Sequence, residues 1–149
     1  MGMDERLESI IKLKLNLEHM FFKEFMMHYV LPESINHTHM MTLLIMRLNP
    51  QASMVDLSRQ LNLEKGSFTP VAHKLLQLGY ISKEQDPKDR RVFKLSLTDK
   101  GLEAAKTFEE GHRAYIKKLI ETIDPEDMER FFASAQFINE TMKSFKFSE

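Results

Sequence analysis

The segment from Gly66 to Gly101 constrains the fold most, because its residue pattern changes twice along its length. Leucines at helical spacing lead up to Gly79, and a glycine directly after such a run is a typical helix end. Tyr80 to Lys83 then reads as a short strand. Residues 86–89, Asp-Pro-Lys-Asp, have turn chemistry, and residues 93–97 alternate apolar and polar side chains as a half-buried returning strand. The segment therefore predicts a helix followed directly by a two-stranded ribbon with a charged tip.

Two further helices are predicted before this segment. Thr38 is a suitable N-cap for a helix that stops before Pro50. Ser53 and Asp56 form a capping-box pattern that opens the next helix, and Asn62 makes the turn out of it. Two helices joined by a short turn are a helix-turn-helix, and the ribbon behind them makes it a winged helix. The predicted fold class is mainly α with a small β-wing.

Long amphipathic helices are predicted on both sides of the winged helix. The first runs from Asp4 to Tyr29 and ends before Leu31-Pro32. A second follows Thr98 as its N-cap, and Asp124-Pro125 starts a third that carries an apolar stripe to Phe145. A winged helix is too small to cover all of their apolar side chains. The phenylalanines outside it are Phe21, Phe22, Phe25, Phe131, Phe132, Phe137, Phe145 and Phe147.

Large exposed apolar faces usually mark an interface, so we expect the terminal helices to pair with their copies in a two-fold dimer. An ordinary helical layer within one chain would produce the same pattern.

The charge distribution singles out the middle of the chain. Residues 53–101 hold nine Lys or Arg against six Asp or Glu, whereas the rest hold 12 basic and 16 acidic residues. A basic middle between acidic helices suits a protein that binds DNA, although a solvated charged surface gives the same contrast. The chain contains no cysteine, which excludes disulfides, thiolate catalysis and thiol redox sensing.

Other function classes find little support. No apolar run is long enough to span a bilayer, and the acidic N-terminus lacks a signal pattern, so a cytoplasmic protein is expected. The five glycines form no phosphate-binding loop, and no serine lies in a nucleophile-elbow context. We therefore expect neither an enzyme nor a cofactor.

The wing sequence resembles the MarR (multiple antibiotic resistance regulator) family of bacterial transcription factors. The shared pattern is an aspartate, any residue and an arginine, followed by a strand that ends in Leu-Thr-x-x-Gly. In this chain those residues are Asp89, Arg91, Leu97, Thr98 and Gly101. The order of the predicted helices also matches that family over nearly the whole chain.

The resemblance implies one domain over residues 1–149, with a DNA-binding part at 38–101 and dimerisation parts at 4–31 and 102–147. Such dimers bind palindromic operator DNA, usually as repressors, and often release it when a small molecule binds. The resemblance further implies that Asp89 positions Arg91 in the minor groove, with Lys88 and Arg90 near phosphates. The recognition-helix face that it implies consists of Gly66, Ser67, Phe68, Thr69, Val71, His73 and Lys74.

The physical chemistry of these residues agrees with the implied roles. Ser67 and Thr69 near a helix N-terminus can bind phosphates or base edges, but simple capping of the helix explains them equally well. The weakly hydrated guanidinium of Arg91 suits a narrow, negative minor groove.

The chain departs from the family at Pro70, where many members carry arginine. Proline in a helix interior is costly, so we expect this helix to start late or to bend. The Thr69-Pro70 pair is similar to the organic-hydroperoxide-sensing branch, which senses through a cysteine that this chain lacks. The trigger therefore cannot be shared.

Two further interpretations stay open. A zinc-responsive branch uses His and Glu near the corresponding helices, but one of its histidines corresponds to Phe108, so no metal is expected. A winged helix that binds only proteins is the other alternative. The candidate metal ligands are His37, His39, Glu109, Glu110 and His112.

Methionines gather where the first two helices meet. They indicate either core packing or an adaptable pocket for a small-molecule effector. They are Met26, Met27, Met40, Met41 and Met46.

Overall fold

The computed structural model of the chain is mostly helical and describes residues 1–64 and 66–146. It separates into two compact units, Met1–Gly111 and the residues from His112 onward. The elements in chain order are α1 (Met3–Glu18), a π-helical turn (His19–Lys23), α2 (Glu24–His28), α3 (His37–Leu48), α4 (Met54–Gln60), α5 (Phe68–Gln77), β1 (Ile81–Gln85), β2 (Phe93–Leu97), α6 (Asp99–Ile120) and α7 (Pro125–Met142).

The predicted first helix is present, but it contains a π-helical turn that the sequence pattern did not indicate. α1, the π-turn and α2 follow one another without a break from Met3 to His28. At the π-turn the N–H of Glu24 donates to the carbonyl of His19, five residues back. The helix then ends because Tyr29 is extended, with φ −77° and ψ 126°.

The predicted N-cap of α3 is wrong by two residues. Asn36, not Thr38, caps the helix: its side-chain oxygen accepts from the His39 N–H at 3.0 Å, and the His39 ring nitrogen Nδ1 accepts from the Asn36 N–H at 3.0 Å. Histidine thus takes the place of the Glu or Gln that usually completes a capping box. Thr38 lies inside the first turn, where its carbonyl accepts from the Thr42 hydroxyl.

The capping role of His39 makes the stability of the fold sensitive to acid. Burial, and secondarily the positive charge of Lys74, lowers the pKa of His39 below its ordinary value of 6.5, and burial lowers the pKa of His37 in the same way. Below 6.5 the unfolded chain therefore binds more protons than the folded one. The stabilisation by neutral histidine is complete above 6.5 and is lost as pH falls through the lower folded pKa.

We expect the midpoint temperature of thermal unfolding to decrease when the pH is lowered from about 7.5 to about 5.5. His39→Gln should weaken this pH dependence, whereas the same change at the exposed His28 should leave it intact. Circular dichroism melts at several pH values measure both. An equal pH dependence in wild type and His39→Gln would contradict the assignment.

The winged helix has a continuous apolar core. Tyr80 and Ile81 at the start of the ribbon are buried, as are Leu95 of β2 and the inward faces of the helices. Phe93 departs from the predicted half-buried alternation, because it is 43% exposed and lies under the Lys83 ammonium at 4.0 Å. In the unit Met1–Gly111, the buried apolar side chains of the helices are Phe25, Met40, Leu43, Leu44, Met46, Leu57, Phe68, Ala72, Leu75, Ala105 and Phe108.

Aromatic rings join α2 to α6. The ring of Phe108 packs edge-on against Phe25 at 5.3 Å and against Tyr29 at 4.9 Å between centroids. Phe25, which the sequence suggested for an interface, therefore belongs to the core of the single chain. The N-terminal helix and the long helix α6 are held together at this point.

α7 begins as predicted and ends earlier. Asp124 caps it through Oδ1, which accepts from the Glu126 N–H at 2.9 Å, and Pro125 occupies the first turn. The helix stops at Met142, although the apolar pattern continues to Phe145. Phe147 lies outside the described residues.

α1 and α7 expose most of their apolar side chains. Neither helix has a buried residue. Over the described ranges, no helix is both long and apolar enough to cross a membrane. The exposed apolar residues include Leu7, Ile10, Ile11, Leu13, Leu15 and Leu17 of α1 and Phe132, Phe137, Ile138 and Met142 of α7.

Candidate nucleic-acid interface

The helix-turn-helix is formed by α4, a tight turn and α5. Ser53 caps α4 through a reciprocal capping box with Asp56, as predicted. The turn uses two left-handed residues, Asn62 with φ 51° and Gly66 with φ 87°. Asparagine and glycine tolerate this conformation best, which is why the chain reverses here. α5 then starts at Phe68.

The N-terminus of α5 carries its exposed polar groups. Ser67 is the N-cap residue, but its hydroxyl makes no capping hydrogen bond. Ser67, Thr69 and His73 are exposed, and Val71 and Lys74 are half-buried. The capping explanation of Ser67 is therefore not supported.

Phe68 requires a correction to the recognition face implied by the resemblance. Its side chain is 4% exposed and lies in the core with Ala72 and Leu75. A ring in that position cannot reach a DNA base, so it supports α5 from behind.

Pro70 causes no break in α5. The helix starts late, as expected, so that Pro70 lies in its first turn. A proline there sacrifices no intrahelical hydrogen bond, because the first N–H groups of a helix have no partner within it.

The wing is an antiparallel ribbon whose tip is fixed by two aspartates. β1 pairs with β2 from Ile81↔Leu97 to Gln85↔Phe93. Asp86 Oδ1 accepts from the N–H groups of Lys88 at 2.7 Å and Asp89 at 3.0 Å. These N–H groups, first that of Asp89 and then that of Lys88, lower the pKa of the Asp86 carboxyl. The tip therefore has a defined backbone although it is exposed.

Asp89 acts on the backbone of Arg91 rather than on its guanidinium. Its Oδ1 accepts from the Arg91 N–H at 2.9 Å. In the described residues no carboxylate forms an ion pair with the Arg91 side chain. Gln85 Nε2 donates to the Arg90 carbonyl at 2.6 Å on the other side. Lys88, Arg90 and Arg91 all remain exposed on this fixed tip.

Three of the five candidate metal ligands, His37, His39 and Glu109, make other contacts. The Nδ1 of His39 is used in the α3 cap, and Glu109 forms an ion pair with Arg47. The ring of His37 packs edge-on against Phe22 at 5.7 Å. Among the described residues, no group of three His, Asp or Glu side chains is arranged to hold a metal ion.

The methionines divide between core and cavity. Met40 and Met46 are buried in the core, as the packing interpretation expected. Met26 and Met27 instead line an open cavity of about 440 Å³ beside the π-turn. The other residues that line it are Glu18, Phe22, Lys23, Leu31 and His37.

Comparison with known proteins gives consistent results for sequence and fold. The model of the MarR family matches residues 35–93, which hold α3 to the start of β2. The HTH-type transcriptional regulator BilQ of Clostridioides difficile is 39% identical over 61 residues, 41% of each chain. BilQ of Clostridium symbiosum is 29% identical over 98 residues, 64% of this chain. The matched stretches span 41% and 66% of the lengths of these two relatives.

Solved structures of similar fold cover nearly the whole chain. A MarR family protein from Bacillus stearothermophilus superposes with a TM-score of 0.71 at 18% identity, over 96% of this chain and all of that one. Streptococcus pneumoniae FabT, in a crystal structure with DNA, superposes with a TM-score of 0.66 at 21% identity, over 95% and 99%. The winged helix-turn-helix with long terminal helices is thus a fold shared with these proteins.

Proposed function

Because the chain belongs to the MarR family of transcriptional regulators, we propose that it acts as a homodimeric repressor of palindromic operators, which a small-molecule effector releases from DNA. The chain is a transcriptional regulator with a DNA-binding winged helix. The relatives described above are regulators rather than enzymes. In this proposal residues 38–101 bind DNA, and residues 4–31 and 102–147 form the dimer.

The wing tip is the observation that carries the DNA-binding proposal. Three cations, Lys88, Arg90 and Arg91, project from a loop whose backbone Asp86 and Asp89 hold by hydrogen bonds. A flexible basic loop binds phosphates without a fixed geometry. A fixed loop can direct one arginine into a minor groove, where its guanidinium is favoured by the strong negative potential.

α5 supplies the second half of the proposed interface, in the major groove. Its first turn combines the Ser67 hydroxyl, which makes no capping hydrogen bond, with backbone N–H groups and the positive end of the helix dipole. These groups favour a phosphate, while side chains further along reach base edges. The proposed contact residues are Ser67, Thr69, Val71, His73, Lys74, Lys88, Asp89, Arg90 and Arg91.

The dimer proposal is supported by the apolar faces of α1 and α7. Ile10 and Ile11 are 64% and 60% exposed, and Phe137 is 69% exposed. A monomer would leave these side chains in water, whereas a second copy of the chain would cover them. A two-fold dimer also presents two winged helices to the two halves of a palindrome.

The cavity beside the π-turn is where we propose that the effector binds. Its walls are mainly apolar, and Glu18 and Lys23 add one charge of each sign. The two charged groups lie 3.6 Å apart and neutralise each other in part. An apolar molecule with a polar end fits this lining.

Arg91→Ala tests the proposed function most directly. It should weaken specific operator binding by about 1–3 kcal/mol per contact, because the wing then loses its minor-groove side chain. Fluorescence anisotropy, on an operator selected from random DNA and at two salt concentrations, measures the change. Lys12→Ala on α1 removes the same charge from a surface pair with Glu8 and should leave affinity unchanged.

Two substitutions of Asp89 separate a positioned arginine from a basic patch. Asp89→Ala loses the hydrogen bond to the Arg91 N–H and should weaken binding, whereas Asp89→Asn keeps an acceptor there and should not. If the wing were only an electrostatic patch, both variants would bind more tightly, because both remove a negative charge. A wild-type protein with no salt-dependent affinity for any duplex would leave a protein-interaction module as the function.

A further inference from the structure

The C-terminal end of α5 is held by Thr98, the residue before α6, and by Lys100 in its first turn. Three successive carbonyls at this end each accept a hydrogen bond from that region. Leu78 accepts from Lys100 Nζ at 2.8 Å, Gly79 from the Thr98 hydroxyl at 2.6 Å, and Tyr80 from the Thr98 N–H at 3.1 Å. Carbonyls after a helix otherwise depend on solvent or on the chain immediately following.

Lys100 makes two contacts within the protein. Besides its bond to Leu78, its ammonium lies 4.4 Å from the centre of the buried Tyr80 ring. A cation at a helix C-terminus is stabilised by the helix dipole, and a cation above an aromatic face gains further attraction. Lys100 is one of the nine basic residues in segment 53–101, but its charge is directed at the end of α5.

The contact between α6 and this turn is too close for any residue larger than glycine at position 101. A Cβ at Gly101 would lie 2.0 Å from the Tyr80 carbonyl oxygen and 3.2 Å from Leu97 Cδ2. The Gly101 N–H donates to the Thr98 hydroxyl at 3.2 Å. Thr98 thus forms hydrogen bonds both with the turn after α5, at Gly79 and Tyr80, and with α6, at Gly101.

A second contact holds α6 to the winged helix two turns further on. Glu109 of α6 pairs with Arg47 at the end of α3, and both side chains are half-buried. α6 is therefore fixed to α3 as well as to α5. A displacement of its first turns has to move α5 with it, because backbone atoms are in direct contact at Gly101.

We propose that Lys100 is a positioning residue for DNA recognition: it fixes the end of α5 to α6, so that the orientation of α6 sets the orientation of α5, and it does not bind a DNA phosphate. This inference rests on the proposed operator binding through α5. The salt dependence of DNA binding distinguishes the two roles of a lysine, because each phosphate contact releases counterions and steepens that dependence.

The test compares Lys100→Met with Lys88→Met on the full-length protein. Affinities for the selected operator and for an unrelated duplex are measured across a salt series. Lys100→Met should weaken operator binding about five-fold, with the salt slope and the affinity for unrelated duplex unchanged. Lys88→Met on the wing should weaken both affinities and reduce the slope by about one per protomer.

Lys100→Arg keeps a cation that can donate to Leu78 and should retain operator affinity, which separates positioning from general damage to the fold. A reduced salt slope in Lys100→Met, with a parallel loss on unrelated duplex, would make Lys100 a phosphate ligand and overturn the proposal. Unchanged operator affinity would overturn it equally. If wild type and Lys88→Met both lacked salt-dependent binding, the proposed function itself would fail instead.

Discussion

Gly101→Ala is expected to lower the free energy of unfolding by roughly 2–4 kcal/mol, because the added methyl group would meet backbone rather than a movable side chain. The new Cβ would lie 2.0 Å from the Tyr80 carbonyl oxygen, so either α6 or the turn after α5 must shift. That turn connects α5 to the wing. Operator affinity should fall by about ten-fold or more, since a loss of about 1.4 kcal/mol of binding free energy already reduces affinity ten-fold.

Gly111→Ala is the matched control, because it makes the same change in the same helix. The Cβ there would meet Tyr29 Cε2 at 3.5 Å and Phe25 Cζ at 3.7 Å, which are ordinary contacts. Alanine is favoured over glycine within a helix by about 0.5–1 kcal/mol, so this variant should be at least as stable as wild type. Urea unfolding measures both variants. Equal stability of Gly101→Ala and Gly111→Ala would show that the junction is looser than described.

Ile10→Glu is expected to dissociate the proposed dimer and to reduce operator affinity by about 100-fold or more, because two linked half-site contacts become two independent ones. Ile10 is 64% exposed on α1, so a glutamate there is solvated in the monomer. In a dimer interface the same carboxylate would be buried without a partner, which is strongly unfavourable. The fold of the single chain should survive the substitution.

Asn16→Glu provides the control for charge. It changes the net charge by the same amount on the same helix. Position 16, however, lies about 180° around the helix from Leu7, which belongs to the exposed apolar face of α1. Light scattering during gel filtration reports the mass, and anisotropy reports the operator affinity. A dimeric Ile10→Glu would place the interface elsewhere, and a monomeric wild type at micromolar concentration would remove the dimer from the proposal altogether.

Features set by short-range chemistry were predictable from the sequence. The Ser53–Asp56 capping box, the Asp124-Pro125 helix start and the left-handed Gly79 each depend on residues within one turn of one another. The Thr98 cap was predictable for the same reason, since its hydroxyl accepts from the Gly101 N–H. Local hydrogen bonds and backbone preferences decide such features before any tertiary contact forms.

Competition between two good local candidates was harder to resolve. Thr38 and Asn36 are both strong N-cap residues. Asn36 prevails because His39, three residues on, completes a reciprocal pair with it, and histidine is not the residue expected there. Ser67 shows the opposite case: it is the N-cap residue, yet its hydroxyl makes no cap bond.

Features set by tertiary contact were not predictable from one sequence. The motif Leu-Thr-x-x-Gly gave no indication that Gly101 touches the Tyr80 carbonyl, because these positions are separated by the whole wing. The burial of Phe68 likewise depends on the angle at which α5 packs. The dimerisation parts and the DNA-contact residues stay predictions.

The π-turn has a consequence for how this chain can diverge from its relatives. It rotates the side-chain positions of α2 about the helix axis by about 100° relative to those of α1, which is the angle that one residue spans in an α-helix. In an uninterrupted α-helix, Phe25 would lie on the same face as Leu7. With the π-turn, Phe25 instead enters the core while Leu7 stays exposed. The two halves of one helix thereby face different surfaces. If the proposed dimer forms through α1, substitutions there can alter which copies of the chain associate without disturbing the ring cluster of Phe25, Tyr29 and Phe108.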